Sequence, residues 1–196
     1  IYLVSQKMKV NGNAIRPGMV IEHQNRLWRA IKIQHTQPGK GGAYAQVELK
    51  DIRDGTKLNE RFRASETVER ARLEQESYQY LYADGDMYTF MHGDTFEQVA
   101  LTSDLIGEQQ VKYLQEGMEV TIETFEEETI GVQLPPNAIF EVVEAYAVVK
   151  GQTAASSYKP ALLNNGIRTM VPPHIETGSR VVISTEDGSY VERAKQ

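Results

Sequence analysis

One stretch of this chain is set up to do chemistry in an obvious way: Gln37-Pro38-Gly39-Lys40-Gly41-Gly42-Ala43-Tyr44. Three glycines surround a single long cation, and Pro38 stiffens the entry. Glycine permits positive φ and removes side-chain bulk, so the lysine stands alone at a narrow tip. Such a finger can enter a polyanionic crevice that would exclude a bulkier loop. The stretch by itself also fits an ordinary exposed hairpin. It does not fit a nucleotide phosphate loop. That loop needs a glycine five residues before the Gly-Lys pair and a Ser or Thr after it to hold magnesium. Gln34 and Gly41 occupy those places. A nucleophilic lysine is a third reading. It requires a desolvated amine with a partner, whereas a glycine tip implies solvation.

The rest of the sequence offers little for catalysis. The four histidines, His23, His35, His92 and His174, lack metal-ligand spacing. There is no cysteine, which excludes disulfides, thiolate nucleophiles and cysteine-rich zinc sites. No Gly-x-Ser-x-Gly elbow occurs. Glu126-Glu127-Glu128 reads as a solvated turn, because adjacent carboxylates on a strand diverge and need further ligands to hold a cation. No catalytic residue, metal or cofactor is expected.

The 196 residues carry a net charge of −6 and 40% hydrophobic residues, an ordinary globular composition. No apolar run approaches the roughly 20 residues that cross a bilayer, and no signal-peptide pattern is present. A cytoplasmic location is expected, with no membrane partner. The mean charge hides an asymmetry. Residues 8–71 hold 12 Lys and Arg against 7 Asp and Glu; residues 72–135 hold 2 against 14; residues 136–196 are balanced. A basic module joined to an acidic one presents one end to an anion. Arg29, Lys32, Lys50, Arg53, Arg61 and Arg63 are the candidates for phosphate contacts, and each is also compatible with a solvated strand face.

The elements that must position these residues read as short strands. Val47 and Leu49 alternate within residues 45–50, and Asp54-Gly55 turns the chain before 57–63. Met19–Ile21 and Leu27–Ile33 flank a Gln24-Asn25 turn. Tyr78, Tyr80 and Tyr82 fall at period two. Ser103 reads as the cap of a short helix running to Leu114, with Gly117 beyond its end. Pro135-Pro136-Asn137 punctuates the chain, and strands are expected over 139–149, 168–171, 181–185 and 190–193. No βαβ alternation appears. The expected architecture is all-β: three consecutive small barrels over 8–71, 72–135 and 136–196. Residues 1–7 add little to the pattern and read as a non-native remnant or a disordered extension.

Four stretches carry a resemblance to a known family: residues 16–21 (Arg-Pro-Gly-Met-Val-Ile), the Pro38–Ala43 tip, residues 150–161 (Lys-Gly-Gln-Thr-Ala-Ala-Ser-Ser-Tyr-Lys-Pro-Ala), and residues 178–185 followed by 187–193. In this order and spacing they resemble bacterial elongation factor P from Met8 to the C-terminus. The resemblance implies an SH3-like (KOW-type) barrel followed by two OB-type barrels, in an L shape like tRNA. It implies a monomer that binds the 70S ribosome between the peptidyl-tRNA and exit sites and relieves stalling at consecutive prolines.

By the same likeness Lys40, with Pro38, Gly39, Gly41 and Gly42, forms the tip that points at the CCA end of peptidyl-tRNA. Lys40 is then a site for extension by a lysine-modifying enzyme, and the likeness implies that the basic candidates Arg29, Lys32, Lys50, Arg53, Arg61 and Arg63 meet tRNA or rRNA phosphates. Gly151, Thr153, Ser156, Tyr158 and Lys159 belong to a loop near the exit-site codon of the mRNA. Family members often carry more glycine there than the Ala155-Ser156-Ser157-Tyr158 of this chain. Tyr190 and Arg193 match residues implicated on the small-subunit side. A competing class is a stand-alone OB-fold binder of single strands, with Tyr78, Tyr80 and Tyr82 as a stacking platform; the acidic charge of their module opposes it.

Overall fold

The computed structural model describes residues 7–147 and 158–195. The described residues form sixteen strands, one α-helical turn and two 3-10 turns. The strands are β1 (Lys7–Asn11), β2 (Val20–His23), β3 (Arg26–Thr36), β4 (Tyr44–Asp51), β5 (Lys57–Arg63), β6 (Thr67–Ala71), β7 (Glu74–Asp84), β8 (Met87–His92), β9 (Gln98–Thr102), β10 (Glu119–Phe125), β11 (Glu128–Gln133), β12 (Asn137–Ala145), β13 (Lys159–Leu163), β14 (Arg168–Val171), β15 (Arg180–Ser184) and β16 (Tyr190–Arg193). They form three sheets, ordered β1-β6-β2-β3-β4-β5, β11-β10-β7-β8-β9 and β14-β13-β12-β15-β16. The fold is all-β, as the turn-rich alternation predicts. Of residues 1–7 only Lys7 is described. It opens β1, opposite Ala71.

The described chain forms two compact units. One comprises the residues through Glu76 together with Ile122–Gly131; the other comprises Ser77–Thr121 and the residues from Val132 on. In the first unit, the inward residues of the six-stranded sheet alternate with solvent-facing ones, as a half-buried sheet requires. Ile15, Ile21, Trp28, Ala30, Ala45, Val47, Leu49, Phe62 and Val68 make its core. The tight turn between β2 and β3 places Gln24 and Asn25 both at positive φ, as expected for a two-residue hairpin. The hairpin of β10 and β11 packs on the same unit. Phe125 and Ile130 join Val20 and Ala71 in a second cluster.

In the other unit the helical expectation needs correcting. The helix from Ser103 stops at Ile106, and a separate 3-10 turn covers Gln110–Tyr113. Gly107, at φ +106, ends the first turn. Ser103 does not cap it through its side chain; its hydroxyl bonds Asp86 instead. This segment is fixed by packing. Tyr113 enters a core with Phe140, Val142, Leu163 and Val181. Gln115 donates to the Ile139 carbonyl at 2.8 Å, and Asn165 to the Lys112 carbonyl at 3.0 Å.

The tyrosine series also departs from strict alternation. Tyr80 is buried beside Phe90, and Tyr78 lies edge-on to His92. Tyr82 is 55% exposed. A register shift pairs Tyr80 with Phe90 but Tyr82 with Thr89, so one extra residue turns Tyr82 to the opposite face.

Candidate nucleic-acid interface

β3 and β4 pair from Trp28↔Asp51 to Thr36↔Tyr44, and the Gln37–Ala43 loop joins them. The two strands are the longest paired run of the first sheet, so the loop is carried on a stiff hairpin. Gly41 has φ +112, a conformation that disfavours any side chain. Space is open around Gly39 and Gly42. Lys40 is exposed at this tip and has no ion-pair or hydrogen-bond partner among the described residues.

A groove of ≈ 640 Å³ opens at the base of the loop, lined by Gly42, Ala43, Tyr44, Arg61, Arg63, Ala64 and Ser65. Its shape follows from register. Tyr44 lies opposite Arg63, and Gln46 opposite Arg61, so Tyr44 and Arg61 are diagonal neighbours on the outer face. The Arg61 guanidinium sits 4.1 Å from the centroid of the Tyr44 ring. This cation–π contact holds the long side chain in place while leaving its N–H groups available. Gly12 packs against the Arg63 carbonyl, where a Cβ would collide with the oxygen, so the end of β5 is held from behind. The sequence gives no direct sign of Tyr44 as a site residue. Its signal is period-two alternation, which puts it on the face of Arg61 and Arg63.

The six basic candidates thus separate. Arg61 and Arg63 share the groove with the tip loop. Lys50 is exposed. Lys32 is exposed and lies opposite Glu48, whose carboxylate is 3.5 Å from Lys57. Arg29 and Arg53 are engaged inside the unit. Arg29 donates to the carboxylate of Glu123 at 3.0 Å, and Arg53 makes paired bonds to both oxygens of Glu128 at 3.2 and 3.0 Å. Glu126 and Glu127 occupy the β10–β11 turn at positive φ.

In the C-terminal sheet, Tyr158 is 49% exposed and packs edge-on against Tyr190, with centroids 6.4 Å apart and rings at 90°. Burial raises the Tyr190 hydroxyl above its ordinary value, and Tyr158 adds to the shift. Lys159 opens β13, and Arg193 ends β16 opposite Val181. Two regions separated in sequence therefore meet at the Tyr158–Tyr190 contact. Gly151, Thr153 and Ser156 lie outside the described residues.

Comparison with known proteins agrees with this architecture. Residues 11–68 match the "Elongation factor P (EF-P) KOW-like domain", residues 73–132 the "Elongation factor P (EF-P) OB domain", and residues 139–193 "Elongation factor P, C-terminal". The chain is 58% identical over 187 residues to an elongation factor P from Zymomonas mobilis, covering 95% of this chain and all of that protein. It is 57% identical, with the same coverage, to one from Parvibaculum lavamentivorans. A solved structure of eukaryotic translation initiation factor 5A from Methanococcus jannaschii superposes with a TM-score of 0.52 at 23% identity. That match covers 69% of this chain and 97% of that one, and shows a shared fold.

Fold and comparisons together define a translation factor built from a KOW-like domain and OB-type domains. The chain belongs to the elongation factor P family.

Proposed function

We propose that this factor binds the 70S ribosome between the peptidyl-tRNA and exit sites and promotes peptide-bond formation at consecutive prolines. Lys40 holds the CCA end of peptidyl-tRNA. The observation that supports this most directly is the exposed, unpaired Lys40 amine on a glycine tip, above a groove that carries Arg61 and Arg63. Proline is a poor nucleophile and a stiff peptidyl residue, so its reactants meet in poor geometry. A positioned cation restricts the tRNA end to productive arrangements, and orientation of this kind is worth up to several kcal/mol. The bond chemistry belongs to the ribosome, and the factor is an effector and not an enzyme. Tyr158, with Tyr190 behind it, offers a ring face to an exit-site base. Lys40 is also the residue a lysine-modifying enzyme would extend.

The single-strand-binder reading loses its platform in the structure. Tyr80 is buried and Tyr82 points to the other face. The decisive experiment is in vitro translation of a message encoding three consecutive prolines. Wild-type protein is expected to restore full-length product, and Lys40→Ala is not. Failure of wild type to rescue removes the reading; full rescue by Lys40→Ala removes the tip mechanism alone. Intact-mass measurement of protein from its native host tests whether Lys40 is extended.

A further inference from the structure

Among the described residues an arginine lies over an aromatic ring in two places. Arg26 sits 5.1 Å from the centroid of Trp28, and its N–H edges are taken: Nε meets Asp51 at 2.7 Å and Nη2 meets Asp54 at 2.6 Å. Arg61 sits closer to Tyr44, at 4.1 Å, and its guanidinium makes no hydrogen bond or ion pair with another described residue. The first contact is closed and structural. The second is built the same way and left open to the groove.

The groove keeps that opening in shape. Gly42, Ala43, Ala64 and Ser65 give it a wall without bulk, and its ≈ 640 Å³ falls within the range of about 300–1,000 Å³ typical of ligand clefts. Hydrogen bonds fix the wall. Ala64 N–H donates to the Ala43 carbonyl at 2.8 Å, and Asn13 N–H to the Ala64 carbonyl at 3.3 Å. The neighbouring carboxylates are engaged elsewhere. Glu66 accepts from Arg63 N–H at 3.0 Å, and Glu60 meets His23 at 3.1 Å.

A guanidinium offers chemistry in two perpendicular directions. Its edge donates in plane to a phosphate, and its face stacks on a flat π system. With one face on Tyr44, Arg61 has the other face and the edge left for a ligand. A ligand that uses both is flat on one side and anionic on the other. Arg63, opposite Tyr44 in register, adds a second cation, and no carboxylate lines the groove. This combination fits a nucleotide better than an aromatic side chain of a protein, which brings no anion. A duplex hides its base faces, so the base must be unpaired. Lys40 is two residues from Gly42, at most about 7 Å of chain, so the tip and the groove can address one RNA strand.

We propose that the Tyr44–Arg61 stack is a nucleobase subsite. An unpaired RNA base lies on the free face of Arg61, and its phosphate is held by Arg63 and the Arg61 edge. The base comes from the tRNA 3′ end or from rRNA; that placement rests on the ribosome reading above.

The first test needs no ribosome. Full-length protein is titrated with the single-stranded RNA tetramer ACCA and with an abasic tetramer carrying the same phosphates, and binding is followed by NMR. ACCA is expected to bind about fivefold more tightly than the abasic strand and to shift the Arg61 Nε–H signal by the ring current of the base. Arg61→Lys keeps the charge and loses the flat face. It is expected to lose the preference for ACCA while the salt slope stays at the wild-type value. Tyr44→Phe keeps a ring under Arg61 and is expected to keep the preference; Tyr44→Ala is expected to lose most of it.

Equal binding of both strands by wild type overturns the proposal and leaves a phosphate site only. So does an unchanged preference in Arg61→Lys. On 70S ribosomes carrying peptidyl-tRNA, a photoreactive benzoyl-phenylalanine at position 65 identifies the source. A crosslink to the tRNA 3′ end or to rRNA supports the subsite and names its base; a crosslink to a ribosomal protein alone overturns it. The two readings fail separately. If Arg61→Lys matches wild type on both strands while Lys40→Ala loses polyproline rescue, the subsite is wrong and the ribosome reading stands. If wild type prefers ACCA but does not bind the ribosome, the ribosome reading is wrong and the subsite stands.

Discussion

Arg29 reaches from β3 to the carboxylate of Glu123 in β10, Nη to Oε at 3.0 Å, and that carboxylate is 1% exposed. The residues are 94 apart in sequence, and the pair ties the β10–β11 hairpin to the first barrel within one compact unit. Arg29 also donates to the Gly18 carbonyl at 3.3 Å. Its guanidinium is occupied by the fold, which separates it from Arg61 and Arg63 of the groove.

Removing one member of a buried ion pair leaves the other charge without compensation, at a cost of about 3 kcal/mol. Arg29→Ala is therefore expected to destabilise the first unit by about that much in guanidinium denaturation. Arg29→Met combined with Glu123→Met restores an apolar contact and is expected to recover most of the loss. A double variant as unstable as the single would show that packing, and not the uncompensated carboxylate, dominates the site.

Much of the first barrel can be read directly from sequence. The Gln24-Asn25 turn, the Asp54-Gly55 turn and the alternation of Val47 with Leu49 depend on neighbours only a few residues away. What resists such reading depends on distant partners. Arg29 and Arg53 look like Arg61 and Arg63 in sequence, since nothing local marks that Glu123 and Glu128 return to meet them. Tyr82 looks like Tyr80 until an extra residue shifts the register against β8. The helix expected through Leu114 fails because Tyr113 is drawn into a core with Phe140, and Gly107 supplies the break. The tip loop is legible because it is the opposite case: Lys40 is exposed and makes no hydrogen bond or ion pair with the other described residues.

The tip separates function from stability. Lys40 is exposed without a partner among the described residues, so Lys40→Ala is expected to leave Tm within about 1 °C of wild type while abolishing polyproline rescue. Gly41 is different, because its φ of +112 is disfavoured for any side chain. Gly41→Ala is expected to cost about 1–3 kcal/mol of local strain, relieved by a shifted tip, and to reduce rescue with Lys40 still present. Wild-type rescue by Gly41→Ala would show that tip geometry does not matter.

Salt dependence distinguishes the arginines. Each cation that neutralises a phosphate adds about 0.7–0.9 to the slope of log K against log salt. Arg61→Ala and Arg63→Ala are each expected to lower the slope for ribosome binding by roughly that amount. Arg53 already faces both oxygens of Glu128, so Arg53→Ala is expected to leave the slope nearly unchanged. Equal slopes for all three would contradict the groove as a phosphate-facing surface.

Gly188 is a packing requirement as well as a turn residue. It has φ +75, and a Cβ built there would stand 2.6 Å from the Tyr113 hydroxyl oxygen. Thr169 donates to the Gly188 carbonyl at 2.7 Å, and Gly188 N–H to the Ser184 carbonyl at 2.9 Å, so the backbone has little room to retreat. Gly188→Ala is expected to destabilise the second unit by roughly 1–3 kcal/mol. Adding Tyr113→Phe removes the colliding oxygen and is expected to recover the steric part, leaving the strain of positive φ. Thermal melts of the two single variants and the double form the cycle that checks this.

The same tyrosine is expected to contribute to a loss of stability of that unit at alkaline pH. Burial raises the Tyr113 hydroxyl above its ordinary value of 10.0, and the charge of Asp187 pushes in the same direction. A group whose folded pKa is raised contributes stability that is complete below the unfolded value and is lost as pH climbs through the folded one. Stability is thus expected to fall above about pH 10, where the unfolded chain releases a proton that Tyr113 retains. Asp187 behaves oppositely. Hydrogen bonds from the Ser189 hydroxyl and backbone N–H lower it, so its contribution is present above its ordinary value of 3.8 and fades as pH falls. Denaturation midpoints for wild type and Tyr113→Phe between pH 7 and 11 separate the alkaline arm. The variant is expected to lose stability with a shallower slope, because one titrating group has been removed. Parallel curves would assign the alkaline loss to Tyr80 and Tyr190, whose hydroxyls burial also raises.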